Sequence, residues 1–121
     1  MDQLLFLPME ENFGCKQIMS SNFPPKISQL LQNFDGWLVG SAADPSNEDP
    51  RDYDILIPFH MWNKACLAIP EDAKVNSFGG WKFNVGDIEI DIWPGDLSYL
   101  LQRPKTTFAY HLGSDTRVRK Y

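Results

Sequence analysis

The chain reads as an α+β domain in which helices pack on one side of a mixed β-sheet, and three observations lead there. Ile27, Leu30, Leu31 and Phe34 recur at helical spacing behind Pro24-Pro25. Ile88, Ile90 and Ile92 alternate with Glu89 and Asp91 at strand spacing, behind a Gly86-Asp87 turn. The segments follow the order helix, strand, loop, strand, helix, hairpin, short helix, hairpin, which mixes the two element types without a strict βαβ alternation.

Taken in order, Pro24-Pro25 opens an amphipathic helix over 26–34, because proline at the first helical position loses no hydrogen bond, and Asp35-Gly36 closes it. Trp37-Leu38-Val39 is a short buried strand ending at Gly40. Ser41 to Arg51 contains Pro45, Pro50 and several turn formers and reads as one exposed loop within the domain. Asp52 to Ile57 is the next strand. Pro58 to Leu67 has mixed apolar periodicity and no glycine, so a second helix runs toward the break at Pro70. Trp81 to Val85 and Ile88 to Trp93 form a hairpin around Gly86-Asp87. Gly95 to Gln102 is a short helix, and Phe108 to Leu112 with Thr116 to Tyr121 form a last hairpin around Gly113-Ser114-Asp115.

At 121 residues the chain has the size of one domain, 1–121, and leaves no room for separate catalytic and substrate domains. Hydrophobic residues at 43% and charged residues at 22% are those of a globular chain, which argues against intrinsic disorder. The apolar run Leu4-Leu5-Phe6-Leu7 lies between Asp2 and Glu10-Glu11 and is too short for a signal peptide or a membrane span. Cys15 and Cys66 lie far apart with no metal-ligand spacing around either, as expected of reduced thiols in a cytoplasmic protein without membrane contact.

The net charge of −5 conceals an asymmetry. Residues 103–121 carry Arg103, Lys105, Arg117, Arg119 and Lys120 against Asp115 alone, about +4, which leaves about −9 on the rest. So acidic a body is repelled by a nucleic-acid backbone and disfavours processive nucleic-acid binding. The basic tail itself reads as a solvated face or as a contact for an acceptor.

The chemistry-bearing signal is acidic. Asp52 and Asp54 are two apart on one strand and therefore point to the same face. Glu89 and Asp91 form a second acidic face opposite the isoleucines of their own strand. Crowded carboxylates oppose folding unless cations neutralise them, and hard, oxygen-seeking Mg²⁺ (or Mn²⁺) is the natural partner. The alternation of isoleucine with acid equally describes a half-buried strand with a polar face in water. Gly40-Ser41 adds a third piece: a Gly-Ser turn after a buried strand brings backbone N–H groups close to a phosphate, ten residues ahead of the acids.

Val39-Gly40-Ser41, then Asp52-Tyr53-Asp54-Ile55, then Ile90-Asp91-Ile92, resembles the nucleotidyltransferase superfamily that includes polymerase beta. The resemblance covers a core of about residues 26–97, with 98–121 left as a short helix and C-terminal hairpin. The stretch Phe78-Gly79-Gly80-Trp81-Lys82 is similar to small members of the family. It implies a nucleotidyltransferase-like core and a minimal, single-domain member that moves a nucleoside monophosphate from a nucleoside triphosphate to a hydroxyl of a small molecule, a protein or an RNA end. Asp52, Asp54 and Asp91 would be the catalytic, metal-holding residues, and Gly40 and Ser41 would hold phosphates. Lys82 is either a further phosphate contact or a solvated edge lysine.

This sequence departs from the family pattern after Gly-Ser. Family members often have a short helical turn there with an arginine three or four residues on, whereas this chain has Ala42-Ala43-Asp44-Pro45; Arg51 is the available substitute charge. The chain also lacks the helical domain that larger members place over base and acceptor, so a partner chain completing the site is expected if it is not minimal. The competing class is a catalytically silent protein on the same scaffold that binds a partner through its acidic surface. Asp44 to Asp54 is not a calcium loop, since its sixth position is Asp49 rather than glycine. His60 and His111 stand alone and read as surface or satisfied core histidines.

Overall fold

The computed structural model describes residues 4–7, 23–102 and 107–120. Among them the chain runs β1 (Leu4–Leu7), α1 (Pro25–Asn33), β2 (Trp37–Val39), a 3₁₀ turn (Gly40–Ala43), β3 (Asp52–Ile57), α2 (Phe59–Cys66), β4 (Lys74–Val75), β5 (Trp81–Val85), β6 (Ile88–Pro94), a 3₁₀ helix (Leu97–Gln102), β7 (Thr107–His111) and β8 (Thr116–Lys120). The strands form one mixed sheet in the order β1-β8-β7-β2-β3-β6-β5-β4. The β3–β6 pair is parallel and the other pairs are antiparallel. The domain is therefore α+β on a mixed sheet, as its segment order predicts.

Local chemistry explains the elements. Pro25 starts α1, and the left-handed Asp35 at φ 57° ends it while Gly36 N–H donates to the Leu31 carbonyl at 3.1 Å. Ile27, Leu30 and Leu31 point inward from one face of α1 and are fully buried, each contributing about 1.5–3 kcal/mol of burial. They pack with Leu38, Tyr53, Ile55, Ile57, Ile90, Ile92 and Tyr110 of the sheet and with Ala65 of α2. These strand residues alternate onto a single face, so both helices cover that face. The opposite face carries a smaller apolar cluster of Val39, Leu56, Trp93, Ala109 and Val118.

Several expectations are met and several corrected. The strands 37–39 and 52–57, both helices, the hairpin around Gly86-Asp87 and the last hairpin all form as read. Leu4–Leu7, read only as too short to cross a membrane, pairs with β8 as an edge strand. The two-residue β4 carries no periodicity that would have shown it. Ser41 to Arg51 is not irregular throughout, because residues 40–43 close a 3₁₀ turn whose Asp44 N–H donates to the Ser41 carbonyl at 3.2 Å. A short 3₁₀ turn therefore follows Gly40-Ser41, and it carries no basic residue in its last turn.

Arg117 corrects the reading of the basic tail as a solvated face. It is 3% exposed, donates from Nη1 to the Ala43 carbonyl at 3.3 Å and lies 4.7 Å over the Tyr110 ring. Tyr110 and Arg117 are register partners, so a β7–β8 pair delivers the guanidinium beneath the loop. The side chains of Arg103, Lys105 and Lys120, and Cys15, lie outside the described residues. Cys66 is a free thiol. No helix among the described residues is long and apolar enough to cross a membrane.

Candidate functional site

The parallel pairing of β3 with β6 decides where the acids go. Asp54 is the register partner of Asp91, and Asp52 of Glu89. Register partners share a face, so two pairs of carboxylates lie side by side on the face away from the helices. Their neighbours Tyr53, Ile55, Ile90 and Ile92 point the other way into the core, which is why the alternation cannot slip. Asp91 is only 7% exposed, Asp54 is half-buried and Asp52 is exposed at the outer end.

Gly40 meets this pair from the neighbouring strand. Val39 is the β2 partner of Asp54, and the chain turns out of β2 at Gly40 with φ +78°, a conformation that glycine adopts without strain. A Cβ built there would stand 3.1 Å from Asp54 Oδ2. The absent side chain therefore lets the turn close against the carboxylate. Ser41 follows as the first exposed residue of the 3₁₀ turn.

Asp91 is held by a residue that the sequence reading passed over. Asn76 Nδ2 lies 3.2 Å from Asp91 Oδ1, 3.0 Å from the Trp81 carbonyl and 3.2 Å from the Ile92 carbonyl. Its Oδ1 accepts from the backbone N–H of Phe78 at 3.0 Å and of Gly80 at 2.8 Å. One side chain thus folds the 76–80 turn and docks it on β6. Gly80 has no alternative at its position, because a Cβ would fall 1.8 Å from the Ile92 carbonyl oxygen. The turn carries Phe78 onto Trp93, ring centroids 4.8 Å apart, two residues beyond Asp91 on the same strand face. The available signal was an asparagine ahead of Ser-Phe-Gly-Gly, a turn-forming run with a polar side chain free to bond its own backbone.

Lys82 is the register partner of Asp91 across β5–β6, yet its ammonium lies 3.6 Å from Glu89 Oε2. It is exposed, and the pair is the diagonal cross-strand kind worth little in water. Arg51, the substitute charge for the phosphate, is instead bonded to Asp87 and to Asp49, the latter at 3.3 Å. Those two carboxylates raise its proton affinity above the ordinary arginine value.

The structure thus brings together Gly40, Asp54 and Asp91, places Ser41 at the open rim and sets Asp52 beside Glu89. It directs Lys82 toward Glu89. Among the described residues no three His, Cys, Asp or Glu side chains stand grouped closely enough to hold a metal ion. His111 has both ring nitrogens in contact, Nδ1 with Ser114 Oγ at 2.6 Å and Nε2 with Asp35 Oδ1, and stacks on Trp37. It is satisfied, as expected, and His60 is exposed. Compared with known proteins, the chain matches no family model, no curated protein and no solved structure.

Proposed function

We propose that the chain is a metal-dependent nucleotidyltransferase that moves a nucleoside monophosphate from a nucleoside triphosphate to an acceptor hydroxyl. The observation that carries this reading is the closure of the Gly40 turn against Asp54 while Asp91 lies in register beside it. Backbone N–H groups at a glycine turn suit phosphate oxygens, and carboxylates a strand spacing apart suit the cation that accompanies them. The donor chemistry of Asp54 and Asp91, carboxylate oxygens in register, suits Mg²⁺ or Mn²⁺, and these two would hold the ion; Asp52, two residues along β3 beside Glu89, would join them only if the strand end moved in around a bound cation. When bound, such ions neutralise phosphate charge and lower the pKa of an acceptor hydroxyl.

The protein's own residues supply position. Gly40 and Ser41 orient the phosphates over the acidic pair. Asp91, fixed by Asn76, presents its remaining oxygen at a set angle and accepts the proton of the acceptor hydroxyl. The nucleotidyltransferase-like core, the residue roles and the triphosphate substrate all belong to this proposal. So do an acceptor or partner chain docking over the open side of the sheet, and a cytoplasmic setting.

A second reading has its own support: Asp91 is bonded by Asn76, Lys82 by Glu89 and Arg51 by two acids, so the acidic surface is partly satisfied within the chain. That is what a catalytically silent protein binding its partner through this surface would show. Incubation with each of the four labelled nucleoside triphosphates, Mg²⁺ or Mn²⁺ and a cell extract separates the two. Label transferred by the wild type and lost in Asp91→Asn supports the enzyme. Absence of transfer with every nucleotide, beside stable capture of a partner that Asp54→Asn releases, supports the silent protein.

A further inference from the structure

The face opposite the acids contains a cavity of about 640 Å³ between the 42–51 loop and the sheet. Leu38, Tyr53, Ile88, Tyr110 and Phe23 give it an apolar, largely aromatic floor. Arg117, at 3% exposure, closes one end. Its Nε has no hydrogen-bond partner, and among the described residues no carboxylate forms a salt bridge with it. A guanidinium enclosed this far is costly: burial pulls its proton affinity below the ordinary value, and the Tyr110 ring 4.7 Å below it and the nearby Asp115 charge oppose that shift without a direct salt bridge. Tyr53 in that floor is 5% exposed, and its hydroxyl makes no hydrogen bond among the described residues.

We propose that this cavity is a binding site for a small monocarboxylate with an elongated apolar body, its carboxylate held at Arg117 and its body lying over the aromatic floor toward Tyr53. Three features select that class. A buried guanidinium recognises an anion best where water is excluded. Arg117 on β8 and Tyr53 on β3 are three strand positions apart, roughly 14 Å at the spacing of paired strands, which calls for an elongated molecule rather than a compact ion. The mouth is lined by Asp44, Glu48, Asp49 and Asp87 against Arg51 alone, so polyanions such as nucleoside triphosphates are repelled while a single carboxylate on an apolar stem can pass.

The site lies on the other side of the sheet from Gly40 and Asp54 and does not depend on the nucleotidyltransferase reading. It does touch the same turn, because Arg117 also donates to the Ala43 carbonyl. The test is calorimetric titration of the full chain, free of metal and nucleotide, with octanoate as probe and octylamine, octanol and inorganic phosphate as controls. Saturable octanoate binding is expected, weakened about tenfold or more in Arg117→Gln, as for loss of one charge-assisted hydrogen bond. Ala42→Phe, which places a ring against the cavity lining and takes up part of its space while leaving Arg117 in place, should weaken it too and serves as the deciding variant if Arg117→Gln does not fold. Absence of saturable octanoate binding overturns the proposal. So does equal binding of octylamine or octanol, tighter binding of phosphate, or octanoate binding that survives both variants.

Discussion

Asn76 Nδ2 lies 3.2 Å from Asp91 Oδ1, and through the same amide Asn76 ties the 76–80 turn to β6. The turn's backbone and the orientation of the most enclosed carboxylate therefore depend on one side chain. Asn76→Ala strands the Phe78 and Gly80 N–H groups without their acceptor, and Gly80 is buried. A loss of about 1–3 kcal/mol follows from leaving such groups unsatisfied. Urea denaturation of the variant checks the value, and unchanged stability would show that water replaces the amide without cost.

Gly40→Ala is expected to strain the chain twice, through a side chain at φ +78° and through a Cβ 3.1 Å from Asp54 Oδ2. The backbone contribution alone is about 1–2 kcal/mol. A lower melting temperature should accompany weaker nucleoside triphosphate binding, read by titration in the presence of Mg²⁺. Gly86→Ala, at φ +63° with open space around it, is the control that keeps the strain and removes the clash.

Divalent cations are expected to stabilise the folded chain by mass action if Asp54 and Asp91 hold them. Millimolar Mg²⁺ with a nucleoside triphosphate should raise the melting temperature of the wild type, and Asp54→Asn should lose the response. A wild type indifferent to Mg²⁺ and Mn²⁺ with every nucleotide would leave the acidic face as a surface for a partner.

Burial raises the proton affinity of the Tyr53 phenol, Asp49 adding to the effect and Arg51 opposing it. Relative to the unfolded chain, the folded state then holds the proton more tightly, so stability is fully present below the unfolded tyrosine value of about 10 and falls as pH rises through the higher folded value. Tyr53→Phe should flatten that alkaline limb of a stability-against-pH curve and leave neutral pH nearly unchanged. An identical limb in both proteins would assign it to other groups.

Core packing gives the simplest stability test. Leu30 is fully buried between α1 and the sheet, so Leu30→Ala should cost about 2–5 kcal/mol by lost transfer energy and cavity formation. Chemical denaturation with an unchanged slope on denaturant would confirm a loss of stability rather than a change of the unfolded state.

What the sequence determined by itself is what local periodicity encodes. Ile27, Leu30 and Leu31 announce a helix face, Ile88, Ile90 and Ile92 announce a strand face, and Gly86-Asp87 announces the turn between two strands, because each depends on neighbours a few residues away. The same alternation assigned Asp52 with Asp54, and Glu89 with Asp91, to common faces. Tertiary structure alone decided that β3 and β6 run parallel with Asp54 beside Asp91, since no local pattern specifies which strands pair or in which register. It also decided that Leu4–Leu7 closes an edge against β8, that Asn76 reaches fifteen residues along the chain to Asp91, and that Arg117 is drawn from a basic tail into the interior. A charge run near the end of a chain reads as solvated. Here the β7–β8 pairing turns one of its members toward Tyr110 and the Ala43 carbonyl, and long-range pairing outweighs composition.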